Sequence, residues 1–137
     1  MEYTTYFGHI LCLNLAKYVP WNSIDQHRPE LLFEAAREKG ALVGIAHPFS
    51  YGDPFARGCR FEMTISDYSK VDFIEIFNNP EPLHEVNERG TNLWMSLIFS
   101  GYQITATSGM DLHNRAKLAG CYATYLSLIH ISEPTRL

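Results

Sequence analysis

The sequence predicts an α/β domain on three observations. Two runs, 41–46 and 71–78, are almost continuously apolar, as in strands covered on both faces. Segments of helical period stand beside them, and residues able to ligate a metal recur at strand ends. The order strand, helix, strand, helix, strand implies parallel pairing through right-handed crossovers.

The first two runs, 3–7 and 10–15, are rich in β-forming residues and flank Gly8 and His9, which reads as strand, tight break, strand. Residues 18–27 form a loop punctuated by Pro20, Asn22 and Ser23, with Trp21 packing it down. From 29 to 39 the period is helical: Leu31, Leu32, Ala35 and Ala36 mark one side, Glu30, Glu34 and Glu38 the other, and Gly40 stands where a C-terminal cap belongs. The strand over 41–46 ends at His47, and Pro48 stops it. A histidine there is either a hydrogen-bonded core residue or a ligand.

Residues 49–70 are irregular and long enough to carry function; within them Asp53, Arg57 and Arg60 either meet a substrate or are simply solvated. The strand over 71–78 holds two acids, Asp72 and Glu75. A charge in so apolar a run is costly unless paired or coordinated, so Glu75 lies near a site or is held by an Arg or Lys. Residues 82–100 read as a helix interrupted at Gly90, with Leu93, Trp94, Leu97 and Ile98 as its apolar face, His84 a solvated residue in its polar half and Gly101 as its stop. A β-branched run over 104–107 is the next strand, broken by Ser108 and Gly109. A charged turn over 114–117 and a strand over 120–126 complete the pattern.

Asp111 and His113 follow the break. If the segment is extended, alternate side chains share a face, so the carboxylate and the imidazole point together while Leu112 points away. That pair suits zinc, manganese or iron, and strand ends in α/β proteins are where such ligands converge. The alternative is a turn with a capping Asp and a surface His.

Composition narrows the function classes. The 137 residues make at most one domain, and a 46% hydrophobic share is enough to bury a core. With a net charge of −4 and no basic cluster, there is no electrostatic footprint for nucleic acid or an anionic membrane surface. No apolar run approaches the roughly 20 residues of a membrane span, and no signal-peptide pattern opens the chain. Cys12, Cys59 and Cys121 are odd in number and widely spaced, which is expected of reduced core thiols and favours the cytoplasm.

Taken jointly, Glu2-x-Thr with Gly8-His9, Ile45-Ala46-His47-Pro48, Asp72 through Glu75 to Asn78, Trp94 with Gly101, and Ser108-Gly109-Met110-Asp111-Leu112-His113 resemble the later motifs of the PHP superfamily, named for polymerase and histidinol phosphatase. Their order and spacing are most similar to its CehA/McbA-like branch of metallohydrolases. The resemblance implies the C-terminal part of a distorted (βα)7 barrel holding two or three zinc, manganese or iron ions. It implies Glu2, His9, His47, Asp111 and His113 as metal ligands, with Asp111 and His113 carrying the catalytic chemistry and Thr107 or Ser108 orienting a histidine ring. Glu75 and Asn78 match a motif without being assigned as ligands.

The family opens with a His-x-His motif, an acidic ligand and a Thr-Asp-His-type motif, none of which occurs here, so an N-terminal portion carrying the earlier ligands is expected to be absent. Residues 1–126 are then a partial metallohydrolase domain. Residues 127–137, which include His130, resemble translated adapter read-through, the alternative being a short native strand and tail. The implied activity is metal-dependent hydrolysis of a small-molecule phosphoester or related ester, with no nucleic-acid or membrane partner and with the chain as it stands inactive. The competing reading is a non-catalytic α/β binding module whose strand-end His and Asp residues are hydrogen-bonding structure.

Overall fold

In a computed structural model, residues 1–20, 22, 24–51, 59–78, 83–113 and 122–125 are described. Strands β1 (Glu2–Thr5) and β2 (Gly8–Leu13) form a hairpin, followed by helix α1 (Glu30–Arg37), strand β3 (Leu42–Ile45), a short 3-10 turn (Tyr68–Lys70), β4 (Phe73–Asn78), α2 (Glu85–Phe99) and β5 (Thr105–Gly109). The strands make one mixed sheet in the order β1-β2-β3-β4-β5. The β1/β2 and β2/β3 pairs are antiparallel; β3/β4 and β4/β5 are parallel. Among the described residues the fold is therefore mixed α/β with a five-stranded sheet and two α-helices.

The hairpin turns one step earlier than the break at Gly8 and His9 implied. Thr5 Oγ1 donates to Gly8 O at 2.7 Å and accepts from Phe7 N at 3.1 Å, so Tyr6 and Phe7 form the turn. Gly8 and His9 then open β2, which places His9 inside the sheet opposite Thr4.

The antiparallel β2/β3 pair departs from the parallel crossover that strand-helix-strand order implied. Between β2 and α1 the chain returns to the opposite end of the sheet, and α1 then brings it back to the end where β2 finished. There Asn14 Nδ2 donates to Gly40 O (3.3 Å) and Ala16 N to Lys39 O (3.4 Å), so β3 starts beside the last residue of β2. Gly40 adopts φ +81°, a left-handed conformation that ends α1 without a Cβ penalty.

Pairing registers sort the side chains onto two faces. Tyr3, Ile10, Cys12, Val43, Ile45 and Ile74 share one face and form the core with Leu32, Phe33 and Ala36 of α1 and Leu97 of α2. Both helices thus cover the same side. Leu31 turns to solvent and Phe33 is fully buried in its place. Burial pushes the Cys12 thiol up to about 11, making it an unreactive core group; Cys59 is also a free thiol.

Gly90 does not interrupt α2, which is continuous over 15 residues. A Cβ there would stand 3.3 Å from Ile76 O, so the glycine lets the helix lie close on β4. Trp94 Nε1 donates to Ile104 O at 2.8 Å and ties the same helix to the start of β5. His84 caps α2, its Nδ1 accepting from Val86 N at 3.3 Å. Asp72 is paired: Oδ1 meets Arg37 Nη1 at 2.7 Å and Oδ2 accepts from Val43 N at 2.7 Å, joining α1, β3 and the approach to β4.

Ser108 and Gly109 belong to β5 instead of breaking it. In the predicted final strand, the described residues 122–125 carry no strand pairing; Thr124 meets β5 through its hydroxyl, which accepts from Ser108 N at 2.9 Å. Trp21, Asp53, Arg57, the turn over 114–117, Cys121 and the segment 127–137 with His130 lie outside the described residues. Among those described, no helix is long and apolar enough to cross a membrane.

Candidate metal centre

The face opposite the helices carries Glu2, Thr4, His9, Leu11 and, farther along the sheet, Phe73 and Glu75. Beyond Ile45 the β2/β3 pairing extends through Ala46 N, which donates to His9 O at 3.2 Å and leaves His47 beside His9. One donor atom each from Glu2, His9 and His47 lies within 4.8 Å of the others, an arrangement that could hold a metal ion. His9 Nδ1 is 2.8 Å from Glu2 Oε1 and 3.3 Å from His47 Nε2, and the two rings meet edge to face.

The donor chemistry fits a divalent ion. Two imidazoles and a carboxylate are a zinc-type set, and donors about 2.0–2.1 Å from a tetrahedral ion lie roughly 3.3–3.5 Å apart. The His9 to His47 separation is of that size, whereas the 2.8 Å between His9 Nδ1 and Glu2 Oε1 is a hydrogen-bond distance, so that pair would have to part for both to hold one ion. His47 Nδ1 lies 2.9 Å from Cys59 O; a carbonyl only accepts, so Nδ1 carries the proton and Nε2 presents its lone pair toward His9. The expected orienting hydroxyls do something else: Thr107 Oγ1 donates to Ile74 O at 3.2 Å, and Ser108 Oγ faces Thr124. A backbone carbonyl thus orients the ring, and no side-chain type in the sequence marks it.

Asp111 and His113 line the same cavity, about 340 Å³, as Glu2 and His47, together with Glu75 and Asn78. They lie outside the Glu2, His9, His47 group. The alternation argument for the pair does not hold, because β5 ends at Gly109 and Asp111 has φ +44°. A turn brings them together instead: His113 Nδ1 donates to Asp111 O at 2.7 Å and stands 3.6 Å from Asp111 Oδ1. The His113 side chain is 81% exposed, whereas His9 and His47 are buried.

His47, at φ +24°, and Asp111 are two of the three described non-glycine residues with positive φ, a conformation held only where the surroundings enforce it. Glu75 is not held by a cation among the described residues. Its Oε2 accepts from His47 N at 3.1 Å and Asn78 Nδ2 at 3.4 Å, so the acid lies at the site. Burial pushes its carboxyl up, opposed by the His47 N–H. Arg60, the described member of the three charged loop candidates, is exposed and bridges to Phe49.

Burial and the neighbouring His47 hold the His9 pKa below its ordinary 6.5, against the pull of Glu2 and Asp111. The neutral ring that results is the ligating form. Below pH 6.5 the unfolded chain takes up a proton at this position that the folded chain resists. Metal-free stability should therefore fall as pH drops from 6.5 toward the folded value. Urea titrations across that interval should show a shallower pH slope for His9→Gln than for wild type.

No family model, no curated protein and no solved structure matches this chain.

Proposed function

We propose that the chain carries part of the active site of a metal-dependent hydrolase acting on a small-molecule phosphoester or related ester. The observation that supports this reading is the convergence of Glu2, His9 and His47, with Asp111 and His113 across the same cavity. Zinc, manganese or iron suits the donors, and two or three ions are what the PHP resemblance implies. When bound, a divalent ion supplies Lewis acidity toward an ester or phosphoester oxygen.

The chain's own groups have separable roles. Glu2 contributes negative charge that offsets a cation, and His9 and His47 contribute neutral nitrogens. His113 Nδ1 is held by Asp111 O, which leaves the Nε2 lone pair of this exposed ring to take up a proton during hydrolysis. Asp111 adds a second carboxylate facing the cavity.

The test is hydrolysis of an aryl phosphate by the chain joined to a family-like upstream segment bearing the His-x-His motif. Activity should require added zinc or manganese and disappear in excess chelator. Undiminished turnover in chelator would remove the metal from the reaction, and absence of turnover with either metal would leave the non-catalytic binding-module reading ahead.

A further inference from the structure

We infer that Glu75 is the positioning residue for His47: its half-buried carboxylate takes the peptide N–H of a histidine whose backbone has left the strand, and so aims the ring's Nε2 at the metal centre. The inference rests on the metal-centre reading proposed above. It begins from sheet geometry. The β3/β4 ladder runs through Gly44 opposite Phe73 and Ile45 opposite Ile74, after which β3 ends. At φ +24° the chain turns out of the sheet at His47, and a buried N–H there needs an acceptor that the ladder no longer supplies. Glu75 Oε2 provides it at 3.1 Å.

Three features hold that carboxylate in place. Asn78 Nδ2 donates to the same Oε2 at 3.4 Å. Asn78 is itself anchored, since its N–H donates to Asn87 Oδ1 of α2 at 3.0 Å. Gly109 makes room on the other side: a Cβ there would stand 2.0 Å from Glu75 Oε1 and 2.4 Å from Cδ. His47 is consequently gripped twice, at its peptide by Glu75 and at its ring by Cys59 O. With both fixed, little freedom remains for Nε2. Partners that orient a ligating histidine in this way typically contribute 10–100-fold in metal affinity.

The experiment is a Zn²⁺ titration by calorimetry of wild type, Glu75→Ala, Glu75→Gln, Gly109→Ala and His47→Asn, with amide NMR of the metal-free proteins. Glu75→Ala should weaken Zn²⁺ binding by about 10–100-fold and move the His47 amide proton upfield. Glu75→Gln keeps an oxygen for that N–H and should stay within about threefold of wild type, a rescue that a role as charge or ligand would not allow. If Glu75→Ala does not fold, Gly109→Ala decides, because its methyl displaces the carboxylate from a backbone position that tolerates alanine. It should also lose about tenfold or more. Wild-type affinity in Glu75→Ala, or in a folded Gly109→Ala when the first variant is unfolded, overturns the inference. So does a Glu75→Gln variant as weak as Glu75→Ala. His47→Asn separates the two readings: equal binding by it and wild type removes the metal centre itself, and an unmoved His47 amide in the Glu75 variants then removes the positioning role independently.

Discussion

His47→Asn should lower Zn²⁺ affinity by about 100-fold or more while the protein stays folded, a loss of roughly 2.7 kcal/mol in binding. His47 supplies one of three converging donors, and its ring is held with Nε2 toward His9. Asparagine is the informative replacement. It tolerates the left-handed backbone that His47 adopts at φ +24°, whereas alanine there would add a backbone penalty and confuse lost affinity with lost stability. The shorter amide cannot reach the place of Nε2. Circular dichroism should be unchanged, and calorimetry should show the loss. Unchanged affinity would exclude His47 from the centre.

The second large effect is expected at Asp111. In the chain joined to a family-like upstream segment, Asp111→Asn should lower the rate of aryl phosphate hydrolysis by about two to three orders of magnitude, in line with removal of a strongly placed electrostatic group from a reaction centre. Asparagine preserves the size of the side chain and accepts the φ of +44° at this position. The carbonyl that holds His113 Nδ1 is main chain and survives the change. Only the charge is removed. Steady-state kinetics with a thermal melt alongside would show a fallen kcat with an unshifted midpoint. An unaltered rate would take Asp111 out of the reaction.

Much of this architecture was legible in the residues because it depends on local pattern. Helical period over 29–39 marked α1, Gly40 marked its end, and the apolar run ending at His47 and Pro48 placed a histidine just past a strand. The misplaced features depend on contacts between distant segments. Gly90 reads as a helix break until Ile76 is seen against it, and Leu31 reads as core until Phe33 is found in its place. The antiparallel β2/β3 pair follows from where α1 delivers the chain, which no periodicity records.

The site divides the same way. Glu2 and His9 drew attention only through a family resemblance, and the β1/β2 register explains their meeting: Glu2 opposes Leu11 and Thr4 opposes His9, so both lie on one face. Asp111 and His113 suggested ligands by alternation, but a turn beyond β5 brings them together. Glu75 gave a partial signal. A charge inside an apolar strand demanded a partner, and that partner is the His47 backbone, which side-chain identities could not disclose. The Cys59 carbonyl was invisible for the same reason.

X-ray absorption at the zinc edge of the Zn²⁺-loaded chain tests the central claim most directly. Coordination by Glu2, His9 and His47 predicts a first shell of nitrogen and oxygen alone at about 2.0–2.1 Å, with the outer-shell signature of two imidazoles. A sulfur shell near 2.3 Å, or a shell without imidazole, would contradict it.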